Sequence, residues 1–467
     1  MLLKLIQYEL SQAASKLSNR IYFVVLFALA FLTIHAVTGA FDSFKLALVG
    51  DNSYLNGADM TWMFLDFFTV FTIFLIAAVV NGIVLSDYQY NSLSMTFTSG
   101  VSKFNFLLSK LISSILAVFV LMMAVVFGHI VACMMPYLDP SYFTDLNLLY
   151  YLNPLALSTF PNLAILTTFS VALTCLFRSS LVNWVMVILF YANRMMGGYY
   201  SMDIDTSTLG AMLDPLGELA RRLDFQGAGA AELGSNLTTF EGMFMWNRIL
   251  WVSAAVLLFL WAYYKFDFKY QLSVFKFSRK PKKSPTQTPQ QKLAFDERIP
   301  TAQAHNSPGV GAWIRLYLAE LKYLMAGLPF VIMVLVFAGL LYMTSSFTGQ
   351  MYETSSYPIT FLLVDGIQGT FRTLIIAYII VISAEMLWRE RAGKFDAIQD
   401  ALPIKKGSIL TSKFLALLTT VAVLQAVLFI TAILIQLSND YHHHEVGQFL
   451  SSLFVIQMSE YLLYIVL

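Results

Sequence analysis

Two segments of the sequence place acidic, basic and helix-breaking residues at matching positions. The landmarks that match at one constant offset are Asp87 and Glu390, Gly100 and Pro403, Lys103 and Lys406, and Lys110 and Lys413. Arg391 adds a further charge at the start of the second copy. Gly and Pro end helices and fix turns, so charges beside such a break suit ion pairing with a partner. We predict two docking segments; for a single copy, an ordinary interfacial loop is the alternative.

The sequence lacks the motifs of the common catalytic sites. No G-x-x-x-x-G-K-[ST], H-E-x-x-H or G-x-S-x-G occurs, so we predict no catalytic residue and no cofactor in this chain. The one metal-like cluster consists of His442, His443, His444 and Glu445. A specific metal site needs ligands that converge from several elements, so adventitious binding is the simpler interpretation.

Ionisable residues inside apolar segments form a third group of candidates, because their burial in a membrane is costly. Asp66 and Arg372 are expected near the outer ends of their spans, and Glu385 near an inner end. Glu460 shares a face of the last apolar segment with Gln457 and is a candidate for a deep position. A proton- or sodium-driven carrier would need facing carboxylates at mid-depth. The sequence shows no such set, which indicates an energy source outside this chain.

The composition is that of a membrane protein. Hydrophobic residues make up 58% of the 467 positions and charged residues 12%, whereas soluble domains carry about 25% charged residues. We predict an all-α polytopic fold. The predicted spans are 21–38, 64–85, 106–136, 157–177, 181–199, 249–264, 328–345, 371–388, 409–437 and 448–467. Membrane lipids are therefore expected partners, and the net charge of +1 gives no indication of nucleic acid.

Basic residues set the predicted orientation. Seven Lys and Arg residues between 265 and 283 face a single acid, Asp267, which places this loop in the cytoplasm by the positive-inside rule. Counting back through six spans places the N-terminus and both repeated segments in the cytoplasm as well. The outer regions are poor in Lys. Their exception, Arg221-Arg222, is explained by pairing with Glu218 and Asp224 nearby.

The apolar pattern divides the chain into three parts. Residues 1–278 are predicted to hold an amphipathic entry helix and six spans, with Glu9 on the polar side of that helix. Residues 279–311 are rich in Pro, Gln, Ser and Lys and read as a flexible cytoplasmic linker. Residues 312–467 begin with a second amphipathic helix and hold about four spans. For the second half to match the first, two more spans would have to lie beyond Leu467.

On these residues the sequence resembles the permease subunits of type-2 ABC exporters. Their segment E-R-x-x-G…T-P-x-S-R…L-x-x-K connects the second and third spans. Glu390, Arg391, Pro403, Lys406 and Lys413 fit it, whereas the first copy has Tyr88 for the basic residue and Gly100 for the proline. The resemblance implies two fused six-span halves in a bacterial inner membrane. It also implies coupling helices that dock on cytosolic ATPase subunits, which would bind ATP and Mg.

A narrower similarity rests on Asn247, Arg248 and Trp251, an Asn-Arg-x-x-Trp pattern before the sixth span. It is similar to double-length bacterial permeases joined to a C-terminal zinc aminopeptidase-like domain. Two alternatives therefore stay open beside an exporter. One is a regulatory membrane protein driven by the same ATPases without a cargo, and the other is the membrane anchor of a peptidase beyond residue 467. A homodimer and a further permease subunit are both open as partners.

Overall fold

The computed structural model describes residues 1–40, 54–89, 92, 95, 98–178, 180–226, 230–266, 310–347, 357–392 and 406–466. The chain divides into two compact units, Met1–Ser273 and Val274–Leu467. Every regular element within the described ranges is helical. The predicted linker 279–311 lies almost wholly outside these ranges, and so does Pro403.

The helices of the first unit are numbered here in chain order. They are α1 Leu2–Ser15, α2 Leu17–Val37, α3 Ala58–Val84, α4 Ser86–Gln89, α5 Lys103–Cys133, α6 Leu149–Pro154, α7 Phe160–Phe177, α8 Ser180–Tyr200, α9 Ser207–Leu213, α10 Glu218–Asp224, α11 Ala230–Ser235 and α12 Gly242–Lys265. A 3₁₀ turn at Pro140–Tyr142 precedes α6, and a π-helical stretch, Leu155–Thr159, joins α6 to α7.

The second unit continues the numbering. Its helices are α13 Val310–Met325, α14 Leu328–Phe347, α15 Thr360–Ala392, α16 Lys406–Ser438, α17 Val446–Phe449 and α18 Met458–Val466. A π-helical stretch, Leu450–Gln457, joins α17 to α18. The fourth apolar segment of each unit thus contains a π-helical stretch. π-helical stretches are rare in proteins, but those that do occur often lie at functional sites. The apolar pattern of the sequence did not predict these two.

Within the described residues, eight helical segments are long and apolar enough to cross a membrane. The chain is thus an all-α polytopic membrane protein. Two of the ten predicted spans have a different character. The segment predicted as 181–199 is helix α8, which contains Asn183, Asn193 and Arg194 and is less apolar than the eight. The segment predicted as 328–345 is bent by 57° from the preceding entry helix, and the pair together gives up to a ninth crossing.

Helix α5 is the centre of the first unit, where it packs on α1, α2, α3 and α7. It begins at an N-cap in which the Ser102 hydroxyl accepts a hydrogen bond from the Asn105 N–H at 3.2 Å. Its closest approach to α2 is at Gly128. A Cβ there would lie 2.5 Å from the Phe27 carbonyl oxygen and 3.0 Å from the Ala30 Cβ. Small residues allow membrane helices to approach this closely.

The entry helices pack on the third span of their own unit. Helix α1 buries Ile6, Glu9 and Ala13, and α1 contacts α5. The prediction that Glu9 lies on the polar surface is therefore wrong. In the second unit, α13 lies on α16, where Tyr317 and Thr419 share a hydrogen bond of 3.0 Å. Glu9 is buried because it forms an ion pair with Lys110 of α5.

We expect Gly128→Ala to destabilise the first unit by about 1–3 kcal/mol, because the added methyl overpacks the α2–α5 contact. Thermal unfolding of the purified protein in detergent would measure the loss. The matched control is Gly198→Ala in α8, where a Cβ meets nothing within 4 Å. Equal unfolding temperatures for both variants would contradict the packing argument.

Candidate functional site

In the first unit, the lysine that ends the repeated segment is buried in an ion-pair cluster. The Lys110 ammonium lies 2.7 Å from the Asp87 carboxylate and 2.5 Å from that of Glu9. It also donates a hydrogen bond to the Ile83 carbonyl at 2.9 Å. The Lys110 side chain is 0% exposed. The acid and the lysine that bound the segment therefore hold each other.

The second unit repeats this arrangement at the matched positions. The Lys413 ammonium lies 2.5 Å from the Glu390 carboxylate and donates to the Met386 carbonyl at 2.7 Å. Met386 and Ile83 stand at the same offset as the two lysines. Each unit thus joins the end of its second span to the start of its third by the same two contacts. We call the Asp87–Lys110 and Glu390–Lys413 pairs the clamps.

Each clamp is also tied to the entry helix of its unit. In the first unit the link is direct, through Glu9. In the second, Glu320 of α13 pairs with Arg389 at 2.6 Å, and Arg389 lies 3.4 Å from Glu390. Sequence reasoning missed both links. The available signal was a single glutamate in each amphipathic helix. Burial raises the pKa of Glu9 above its ordinary value, while Lys110 opposes this rise.

The remaining landmarks lie at the ends of the segments. Gly100 has a φ of +75°, a conformation that glycine adopts without strain. Lys103, the first residue of α5, lies 4.8 Å from the centre of the Tyr263 ring and donates to the Tyr264 carbonyl at 3.4 Å. In the second unit, Lys406 and Arg391 are exposed.

These positions divide the predicted docking residues into two groups. Asp87, Lys110, Glu390 and Lys413 are engaged in internal ion pairs, so the structure places them at the base of each segment. Direct contact with a partner stays a prediction for the exposed residues of the second copy. Pro403, which was expected to break that copy, lies outside the described residues.

The ionisable residues that the sequence singled out in the spans of the second unit are either ion-paired or half-buried. Arg372 of α15 binds Glu460 of α18 through two nitrogens, at 2.8 and 2.5 Å. The Arg372 side chain is 53% exposed and that of Glu460 27%. Glu385 is half-buried on α15. Inside the same unit, the Gln425 amide donates to Gln457 of the π-helical stretch at 2.8 Å.

Asp66 of α3 begins a chain of hydrogen bonds that ends on an arginine. The Ser158 hydroxyl donates to the Asp66 carboxylate at 2.7 Å, and the Asn162 amide donates to Ser158 at 3.1 Å. Arg248 of α12 in turn donates to the Asn162 carbonyl oxygen. All four side chains are buried, and every donor points toward Asp66. We call this chain the Asp66–Arg248 relay; its two ionisable ends are joined by hydrogen bonds through two neutral side chains.

The relay ends on a turn whose carbonyl groups all accept side-chain hydrogen bonds. This stretch, residues 211–216, comprises the last three residues of α9 and the start of the connection to α10, and we call it the 211–216 turn. The donors, in carbonyl order, are Asn247 to Ala211, Trp251 to Met212, Asn193 to Leu213, Asn247 to Asp214, Arg248 to Pro215 and Asn162 to Leu216, at 2.6–3.1 Å. Residues 211–213 end α9, where helix carbonyls lack partners within the helix, while the Asp214 carbonyl also accepts from the Gly217 N–H at 3.3 Å. Helices α7, α8 and α12 supply the side-chain donors.

The Asn-Arg-x-x-Trp pattern thereby acquires a structural role. Asn247, Arg248 and Trp251 are the residues of α12 that hold the turn. Gly217, which follows the turn, has a φ of +74°, and the Arg248 guanidinium occupies the space that a Cβ would need. We call α9, the turn and α10 the outer hairpin, after the side of the membrane on which the positive-inside rule predicts it.

Ion pairs fix the second arm of the outer hairpin. Arg222 pairs with Glu218 in the same helix, as predicted, and Arg194 of α8 reaches the same carboxylate. Arg221 differs from the prediction of local pairing, because it binds Asp59 at the start of α3, at 2.6 Å. Burial alone would raise the pKa of Glu218, but the charges and hydrogen bonds of Arg194 and Arg222 hold it below its ordinary value.

The histidine cluster does not form a metal site in the described structure. His442 and His443 are exposed, while His444 lies 3.0 Å from the Gln436 amide oxygen through its Nδ1. No group of three or more His, Cys, Asp or Glu residues is placed to hold a metal ion within the described ranges. Consecutive loop residues point in different directions, so these histidines and Glu445 do not converge.

We expect Arg248→Met to cost about 2–6 kcal/mol of unfolding free energy, because it leaves the buried Asn162 side-chain oxygen and the Pro215 carbonyl without the donor they share, at about 1–3 kcal/mol for each unsatisfied group. Asp66→Asn should also destabilise, and the double variant should lose at least about 1 kcal/mol less than the sum of the two. Chemical unfolding in detergent would measure all three. Asp66→Asn combined with the exposed Lys4→Met is the control and should be additive. Additivity at Asp66 and Arg248 would contradict the relay.

The outer hairpin should loosen in acid. Because the folded-state pKa of Glu218 lies below the ordinary value of 4.5, its stabilisation is complete above pH ~4.5 and is lost as the pH falls through the folded pKa. Amide exchange in 207–224 should therefore rise below pH 4.5, after correction for intrinsic exchange rates. Glu218→Gln should show high exchange at neutral pH and a weaker acid dependence. An unchanged acid dependence in that variant would refute this assignment.

Comparisons with protein families, with curated proteins and with solved structures found no match to this chain. The functional argument therefore rests on the clamps, the relay and the outer hairpin.

Proposed function

We propose that this chain is the permease component of an ATP-driven type-2 ABC transporter, an exporter, in a bacterial cytoplasmic membrane with its N-terminus inside. Cytosolic ATPase subunits would bind ATP and Mg and dock on the two repeated segments. The observation that carries the proposal is the recurrence of one clamp, with the same acid–lysine pair and the same carbonyl contact, in both units.

The clamps suit a segment that receives a force. A docking segment moves its spans only if its base is rigid, and a buried ion pair is costly to break, at about 3–5 kcal/mol. Each clamp binds the second span to the third, and each is tied to an entry helix. A push on the segment would thus move three helices together rather than bend a loop.

The proposal also assigns each unit to one permease half. On the second span, the residues at the repeat's constant offset differ in exposure. Trp62, Asp66 and Thr69 are buried in the first unit, whereas Asp365, Gly369 and Arg372 are exposed in the second. Exposed charges at membrane depth normally face protein or a water-filled path. We propose that this face of α15 packs against other transmembrane helices of the transporter or lines a water-filled path.

An external energy source is part of the proposal. In the described spans, Asp66 is bound into the relay and Arg372 is paired with Glu460. These contacts give both groups structural partners. They support a permease whose movements are driven by ATP on other subunits.

One observation favours the alternative of a regulatory membrane protein without cargo. All six carbonyls of the 211–216 turn, and the carboxylate of Glu218 beyond it, are bound by side chains. Such a tightly held outer element can deliver movement to an outer assembly. A transport assay with the reconstituted complex separates the two functions, since the regulatory protein would consume ATP without moving a solute.

We expect Arg391→Glu together with Lys406→Glu to abolish co-purification of an ATPase from native membranes, because both side chains are exposed at the second segment. ATP hydrolysis and identification of a phosphate-loop protein by mass spectrometry would measure recovery. The matched control is Arg315→Glu, an exposed charge on α13 outside the segment. Unchanged ATPase recovery with the double variant would contradict docking at this segment.

A further inference from the structure

Helix α12 is held at both ends by different parts of the first unit. Its outer end contributes Asn247, Arg248 and Trp251 to the outer hairpin. Its inner end, at Tyr263 and Tyr264, is in contact with the start of α5. The two ends therefore reach the two sites described above, the outer hairpin and the first repeated segment.

The inner contact is electrostatic and aromatic. The Lys103 ammonium lies over the Tyr263 ring and donates to the Tyr264 carbonyl, in the last turn of α12. The C-terminal end of a helix carries a partial negative charge, which attracts a cation. Phe104 adds an edge-on ring contact with Tyr263, with 6.1 Å between ring centres. Lys103 is also the basic landmark that follows Gly100 in the segment.

Between its ends, α12 has the properties of a rigid connecting rod. It is a continuous helix of 24 residues, about 36 Å long at 1.5 Å per residue. Only Phe244, Asn247, Arg248, Ala255 and Ala262 are buried, so most of its surface is outside the bundle. The helix contains no proline and no π-helical stretch. Along its length α12 packs on α7, and its buried hydrogen-bonding side chains, Asn247 and Arg248, are the ones that bind the outer hairpin.

We infer that α12 transmits displacement of the first repeated segment to the outer hairpin, through Lys103 at one end and Asn247, Arg248 and Trp251 at the other. This inference deepens the proposed function, since it gives the docking segment of the first unit an effect on the opposite face. Lys103 is accordingly a positioning residue. A shift of α5 pulls α12 along its axis, and the outer hairpin follows because its carbonyls are bound to that helix.

Hydrogen–deuterium exchange of the purified full chain in nanodiscs tests this without any ATPase. Lys103→Met removes the inner contact and should raise exchange in 207–217 by about 5-fold or more, the lower range for coupled sites. Arg248→Met should reciprocally raise exchange in 103–110, because coupling between two sites is symmetric. Lys103→Arg keeps the cation and should leave the outer hairpin protected.

The control is Lys265→Met, which removes an exposed cation from the same helix end. It should leave exchange in 207–217 unchanged. If Lys103→Met raised exchange only in 98–110, the inference would be overturned. A uniform increase across α2, α5 and α7 would overturn it as well, because such an increase reports loss of the fold. Failure to find an ATPase partner would refute the proposed function but leave this result intact.

Discussion

The structure depends on the cost of placing an ammonium group where water is scarce. Lys110 has no exposed surface and would be excluded from such a position without counter-charges. Asp87 and Glu9 supply them, and the Ile83 carbonyl completes the coordination. Since these groups come from α1, α3 and α4, satisfying one lysine of α5 fixes the position of that helix relative to the other three. The second unit solves the same problem with Lys413, Glu390 and the Met386 carbonyl.

The outer hairpin meets a related constraint with side-chain donors. A turn buried against membrane helices carries carbonyls that need hydrogen-bond donors from within the protein, and within 211–216 only the Asp214 carbonyl has a described partner from the backbone of the following turn, the Gly217 N–H. Amide, indole and guanidinium donors from α7, α8 and α12 satisfy them instead. The Asp66–Arg248 relay extends this arrangement to α3. Polar residues inside the first unit therefore act as connections between helices, which explains why they occur in otherwise apolar segments.

Much of the inner architecture could be predicted from the sequence, because apolar length and charge spacing are local properties. The constant offset between Asp87 and Glu390 correctly marked positions that share a contact pattern. The partner of Lys110 on α1 could not be predicted, since Glu9 fits the polar side of an amphipathic helix as well as a buried pair. The role of Asn247, Arg248 and Trp251 was missed for a similar reason. Their spacing is that of one helix face, and only the fold brings residues 211–216 opposite them.

The direction of the relay has a consequence for how the first unit can vary. Serine and asparagine can each reverse their donors and acceptors, so by themselves Ser158 and Asn162 would allow the acid and the base at the two ends of the chain to be exchanged. The Leu216 carbonyl prevents this, because the same Asn162 amide nitrogen must donate to it at 3.0 Å. A reversed Asn162 would set two oxygens against each other. The backbone of the outer hairpin thus fixes the direction of a hydrogen-bond chain that runs between two other helices, and the acceptor end must stay on α3 and the donor end on α12.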